Sequence, residues 1–435
     1  MFITLKELRL FDKQKWFDFL VLSSILILGR LPSVFEAVLQ VIVGCAILIL
    51  WLSIIFINLF VTGKQNRIQL CLKLVPKKAN IIYWITCIYL LIPLLYSVFN
   101  YDIKLYDVAG KLFIILFSIA LLLSIISKNC TEKGKQFILK GLLNSIIIYI
   151  VFNLLLLPVV GFRDLGDNIM LEKFGYIIPR ISLLLNSGVD KVSPLLIIGF
   201  VSSFIWFRQK IAKFILVIFL LTIILIDSRS IYLFSIALIP FFFFIKNQYG
   251  SNELRGFKYL SFIPLILPIL IYKAYPLFKQ LTFFKERGGL LRVEIWKSTI
   301  NYYLNSSFVN QLFGYGYKGY EYSRLSIQLK EILPMSVILT PHSMVLVYLI
   351  DIGLIGCLLI FICFYKTIQI LIESIISGIY ETENRLFILI GLIAILSIGS
   401  LASIGTYYTI ETSIILLSLI ILSNISFKVN SIANN

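Results

Sequence analysis

A chain of 435 residues carries a single histidine, His342, in the stretch TPHSMVLVYLIDIGLIG at 340–356. With an unperturbed pKa of about 6.5, an imidazole is the natural side chain to take a proton at neutral pH. Pro341 precedes it, and proline is favoured at a helix start, so it can fix where the ring points. Three arginines sit among apolar neighbours: Arg180 in IIPRISLLLNSG, Arg229 in LTIILIDSRSIYLFSIAL and Arg292 in GGLLRVEIW. A charge in or near hydrocarbon costs about 2.5–3.5 kcal/mol on insertion scales, so it faces a partner or an aqueous cavity. The guanidinium fork holds phosphate oxygens bidentately and keeps its charge. Taken singly, each arginine reads as a solvated loop residue, or for Arg229 as a partner of Asp227 or of lipid phosphate. The histidine alone reads as a structural one bonded to a carbonyl. Together they suit displacement of an anionic leaving group, with a base for the incoming hydroxyl and cations for the charge that departs.

Asp351 follows His342 by nine residues, near the opposite face of a helix, so no His–Asp dyad is expected and the carboxylate should meet another helix or a cavity floor. Gly353 opens GLIG, a small-residue motif that lets helices approach closely. The stretch FGYGYKGY at 313–320 presents Tyr315, Tyr317 and Tyr320. Tyrosines belong at membrane interfaces, and as a group they also offer flat faces and hydroxyls suited to sugars. No Asp-x-Asp pair is present, and one histidine with six scattered cysteines builds no zinc set, so neither metal nor cofactor is expected.

The elements that must position these residues belong in a bilayer. The chain is 59% hydrophobic and 14% charged, with mean hydropathy +0.96, against about 45–50% and about 25% for a soluble domain. The apolar runs are continuous rather than alternating, which favours helices over a barrel. The expected fold is all-α and polytopic, with about 12 spans near 15–30, 38–61, 80–99, 108–127, 138–160, 192–207, 211–226, 231–245, 259–275, 342–365, 385–404 and 409–427. Residues 1–15 are charged and no small-residue cleavage site follows, so the first span reads as one that stays. Basic residues gather in every second connection, at Lys6–Lys15, Lys64–Lys78, Lys128–Lys135, Arg208–Lys213 and Lys246–Lys258. The positive-inside rule then puts both termini in the cytoplasm. The net charge of +17 is accordingly a topology signal with attraction to anionic lipid; nucleic acid is a poor partner for basic residues dispersed over short loops.

Two outward connections are long, 161–191 and 276–341. The second is rich in aromatics, and in LLRVEIWKSTINYYL the residues Leu291, Ile295, Thr299 and Tyr302 could line one helical face. A folded external subdomain is expected there, dividing the chain into spans 1–9 at 1–275, the subdomain at 276–341 and spans 10–12 at 342–435.

The ordered set Ser228-Arg229, Arg292 and Trp296 in LRVEIW, Phe313-Gly314-Tyr315-Gly316, Pro341-His342 and Asp351-x-Gly353-Leu-Ile-Gly356 resembles the O-antigen polymerase and ligase superfamily, the Wzy-type polymerases and their ligase relatives. The motif match covers about 180–360. It implies a fold like membrane glycosyltransferase C and glycans carried on undecaprenyl diphosphate at the outer face of the bacterial cytoplasmic membrane. It also implies His342 as base, Arg229, Arg292 and Arg180 around the pyrophosphate, and metal-independent transfer. Trp296 joins the tyrosines as a glycan- or acceptor-binding candidate, with Pro341, Asp351 and Gly353 as structural support. The chain departs from the pattern in having Asp351 where glutamate is expected and His-Ser where His-Asn is frequent. Polymerisation of lipid-linked repeat units into O-antigen or capsule is the favoured activity, with a chain-length regulator protein as an open further partner. Ligation of the glycan to lipid A core stays open, and so does transport of a polysaccharide lipid, although the sequence shows neither an internal repeat nor a broken helix to support it.

Overall fold

The computed structural model describes residues 13–28, 37–61, 77–100, 105–127, 132–160, 170–173, 176–179, 189–205, 210–226, 229–278, 289–332, 341, 343–377, 382–401 and 410–424. Among the described residues nine helices precede the long second connection: α1 Lys13–Leu28, α2 Ala37–Val61, α3 Lys77–Asn100, α4 Leu105–Ser127, α5 Glu132–Val160, α6 Val189–Ile205, α7 Lys210–Ile226, α8 Arg229–Asn247 and α9 Ile263–Phe278. A 3-10 helix, Asn252–Phe262, leads into α9. Four shorter helices follow: α10 Gly289–Leu304, α11 Phe308–Phe313, α12 Gly319–Tyr322 and α13 Leu325–Ile332. Three more close the described chain, α14 Met344–Ile376, α15 Thr382–Leu401 and α16 Ile410–Asn424. Each of the expected spans overlaps a described apolar helix, the ninth starting within the 3-10 segment.

Four described helical stretches are long and apolar enough to cross a membrane: Gly134–Leu155, Asn252–Ala274, Met344–Ile376 and Glu383–Ser400. The remaining apolar helices have shorter described cores, such as Val43–Ile57 and Phe113–Ile125. The protein is a multi-pass membrane protein. The all-α expectation needs one amendment, an antiparallel hairpin of β1 Met170–Lys173 and β2 Tyr176–Pro179 within the 161–191 connection, with Met170 opposite Pro179. Each strand has four residues, and Tyr-Ile-Ile supplies the aromatic and β-branched side chains that favour pairing.

The core sits around α15, which packs on α6, α8, α9, α14 and α16. Its residues from Asn384 to Ser400 are buried without interruption. A helix that is apolar on all sides belongs inside a bundle. Between α1 and α2, the buried Asp18 accepts a hydrogen bond from the Trp51 indole at 2.7 Å, which gives two buried polar groups a partner.

Helices α10–α13 form a compact subdomain packed against α14. In α10, Val293, Ile295, Trp296 and Thr299 are buried, so Ile295 and Thr299 do point inward together. At 33 residues, α14 would run about 50 Å if straight, well beyond the roughly 30 Å of hydrocarbon. It is not continuous. Gly353, with φ 67° and ψ −175°, interrupts it nine residues in.

Candidate functional site: a broken helix and the cleft beside it

The break at Gly353 removes the helical bonds that span it, those accepted by the carbonyls of Ile350, Asp351 and Ile352. Buried carbonyls need partners. The backbone N–H of Tyr315 donates to Ile350 O at 2.8 Å, and that of Gly316 donates to Asp351 O at 2.9 Å. The Tyr89 hydroxyl, from α3, donates to Ile352 O at 2.9 Å, and the Gly356 backbone lies against the same hydroxyl. All three freed acceptors are therefore satisfied again, two by the aromatic-glycine loop and one by a neighbouring span.

The loop can approach this closely because both sides are glycine. Gly314 has φ 79° and ψ −174°, in the same region of backbone space as Gly353, one that only glycine occupies readily. A Cβ on Gly314 would run into the Asp351 carbonyl, and one on Gly353 into the Leu312 carbonyl. The fully buried Asp351 carboxylate completes the junction. It accepts from the backbone N–H of Lys318 at 3.2 Å and of Tyr320 at 3.4 Å, at the start of α12. So the carboxylate meets the loop subdomain rather than another span, and it favours the positive end of a short helix. Within GLIG it is Gly356, against the Tyr89 ring, that lies close to a neighbouring helix.

Beside this junction the subdomain opens into a cavity of about 600 Å³. One wall is a polar stripe on α10, formed by Glu294, Lys297, Ser298 and Asn301 at one-turn intervals, with Asn305 just past the helix end. Arg324 and Gln328 line it too, with Tyr302, Ser306 and Tyr315. The Tyr302 and Tyr315 rings lie 5.6 Å apart at 35°, and the Tyr315 hydroxyl donates to Ser306 Oγ at 2.8 Å. Burial, then the bond to Tyr315, pushes the Tyr302 hydroxyl above its usual range, while Ser323 and the Arg324 backbone pull the other way. Among the described residues no ion pair occupies Glu294, Lys297 or Arg324. Amides, hydroxyls, two cations, one carboxylate and a pair of half-buried rings make a surface for a hydroxyl-rich ligand.

The candidate residues are distributed unevenly around it. Tyr315 lines the cleft, whereas Trp296, Tyr317 and Tyr320 are each 3% exposed and belong to the buried core. Arg292 is half-buried on α10. Arg229 opens α8, with its side chain outside the described residues, and Arg180 and His342 lie outside them altogether. The neighbours of His342 are both buried: Pro341, and Ser343, whose Oγ has no partner among the described residues. Reading the sequence for tyrosines passed over the stripe at 294, 297, 301 and 305, although its spacing marks a polar helix face opposite Ile295 and Thr299.

Fold and site thus define a multi-pass helical membrane protein that carries a polar, aromatic-lined cleft on a packed loop subdomain. Residues 214–361, about a third of the chain, match the family model Wzy_C, described as O-antigen ligase. The matched stretch runs from α7 through the subdomain into α14 and takes in Arg229, Arg292, His342 and Asp351. No curated protein and no solved structure matches the chain.

Proposed function

We propose that the protein is a glycosyltransferase of surface-polysaccharide synthesis. It polymerises undecaprenyl-diphosphate-linked oligosaccharide repeat units at the outer face of the bacterial cytoplasmic membrane, with both termini in the cytoplasm. The observation that carries this reading is the cleft beside the Gly353 break, inside the segment that matches the O-antigen ligase family. Its lining has the donors, acceptors and aromatic faces that a glycan needs.

In the proposed reaction His342 takes the proton of the acceptor hydroxyl, and the oxygen attacks the anomeric carbon of the donor sugar. The bond from that carbon to the diphosphate oxygen breaks, and the electron pair leaves with the polyprenyl diphosphate. Arg229 and Arg292, with Arg180, stabilise that developing charge, and no metal is required. Attack from the back face inverts the anomeric configuration; a product whose NMR couplings retain the donor linkage would contradict it. Ligation to lipid A core is the second reading, favoured by the description of the matching family.

The deciding experiment uses purified wild type and His342→Ala with the native lipid-linked repeat unit and EDTA, resolving products by size. A ladder made by wild type, indifferent to EDTA and lost in the variant, is expected. No ladder, with transfer appearing once lipid A core is added, makes the protein a ligase. A ladder that survives in the variant removes His342 from the chemistry.

A further inference from the structure

The hairpin of α10 and α11 has a second face that the cleft does not use. Ile300 and Leu304 on α10 are 44% and 62% exposed, and Phe308, Val309 and Phe313 on α11 are 72%, 62% and 49% exposed. Isolated exposed apolar residues are ordinary, but five large ones within one short hairpin form a patch, and patches of that kind mark interaction surfaces. On α10 Ile300 borders the polar stripe by a single position, beside Asn301 and roughly 100° around the helix, and Leu304 ends the helix next to Asn305. The hairpin is therefore wet on one side and dry on the next.

What covers the dry side is indicated by the helix on which it rests. Gly353 of α14 lies against Leu312 and Phe313, the end of α11. On the N-terminal side of the break, Met344 to Ile352 are buried in protein apart from the half-buried Leu349. Immediately after it an exposed apolar row begins at Leu354, Leu358 and Ile362, one residue per turn. From Leu354 to Ile376 the helix can cover about 35 Å, enough to span the hydrocarbon. The neighbouring α3 carries the same kind of surface past this level. Its Ser97 meets Gly316 of the aromatic-glycine loop, while Leu95, Tyr96 and Phe99 around it are exposed. Two exposed apolar rows thus reach the loop subdomain, and Phe313, against Gly353, joins the patch to the first of them.

We propose that the α10–α11 hairpin is seated in the bilayer, with its Ile300–Phe313 face among the acyl chains of the leaflet that borders the Gly353 break. The loop subdomain is then a membrane-embedded shoulder whose cleft opens at headgroup level. The occupant is the leaflet rather than a protein, because the patch is continuous with the lipid face of a spanning helix. This seating does not depend on the reaction proposed above.

The test uses the full chain in phosphatidylcholine–phosphatidylglycerol nanodiscs, with a fraction of the phosphatidylcholine brominated in the upper acyl chain. Tryptophan is introduced as Phe308→Trp, with Leu354→Trp as the lipid-facing reference and Gln328→Trp as the cleft reference. Emission is read as the difference from wild type. Phe308→Trp should be quenched by the brominated lipid nearly as strongly as Leu354→Trp and be shielded from aqueous iodide, with Gln328→Trp behaving the opposite way. Val309→Trp repeats the reading if Phe308→Trp does not purify as a folded protein. Quenching by iodide without quenching by lipid would put the hairpin in water and overturn the proposal. Protection from both quenchers would mean that protein covers the face, and would overturn it equally.

Discussion

Gly314 and Gly353 meet backbone to backbone, each in a conformation reserved for glycine and each leaving no room for a Cβ. Through this contact the aromatic-glycine loop is locked into the break of α14, and the cleft wall at Tyr315 is held one residue away. The cleft is thereby tied to α14, so changes at the junction should be felt at the cleft.

Gly353→Ala should lower stability by ~3 kcal/mol, the dihedral contributing about 1–3 kcal/mol and the clash with the Leu312 carbonyl adding to it. Gly314→Ala should behave alike. Because both act on one contact, the double variant should lose less than the sum of the two. Thermal melting in detergent checks this; additive losses would mean the two glycines act separately.

Asp351 offers a graded series. Asp351→Ala leaves two backbone donors without their carboxylate, for a loss of about 2–3 kcal/mol. Asp351→Asn keeps an oxygen acceptor and should lose about 1 kcal/mol. Equal losses in the two variants, measured by denaturant titration, would show that the carboxylate's bonds to Lys318 and Tyr320 contribute little.

Tyr302 carries a pH signature. Its hydroxyl is held above the usual 10.0, first by burial and then by the bond to Tyr315. A folded pKa above the unfolded one stabilises the fold fully below about pH 10, and that contribution disappears as pH rises through the folded value. The phenolate difference spectrum of wild type minus Tyr302→Phe should therefore show its step above pH 10. A step at or below pH 10 would remove burial as the governing influence.

For the proposed chemistry, His342→Ala should lower kcat by about 10²–10⁴-fold with KM nearly unchanged, as expected for loss of a general base. Single-turnover measurements with saturating lipid-linked donor separate this from a binding defect; a rise in KM at unchanged kcat would make the residue a binding group instead.

The cleft should show the converse. Asn301→Ala and Arg324→Ala, both exposed and outside the Gly353 junction, should raise KM for the glycan by about 3–10-fold, as expected for one lost hydrogen bond each, and leave kcat within about twofold. Unchanged KM in both variants would place the glycan elsewhere on the protein.

The helices were legible because hydropathy is local. A run of about 20 apolar residues has few alternatives to a buried helix, whatever lies elsewhere in the chain. The α10 pattern at Ile295 and Thr299 was legible for the same reason, since a helical period repeats within a few residues. The short hairpin in the 161–191 connection was not anticipated, because strands of four residues leave almost no periodic signal.

By itself the sequence determined the membrane class and the apolar helices, and it supplied the histidine and arginines from which a base and a phosphate clamp are proposed. Tertiary structure decided which aromatic rings face the cleft, leaving Tyr315 at its wall and burying Trp296, Tyr317 and Tyr320. It also decided that GLIG begins with a break rather than a simple helix contact, and that Asp351 is spent on the loop. The physical reason is range. The carbonyls freed at Gly353 find their donors at Tyr315 and Gly316, some 35 residues earlier, and at Tyr89, 263 residues away from Ile352. Whether a break is tolerated depends on partners so distant in the chain, and no local pattern records them.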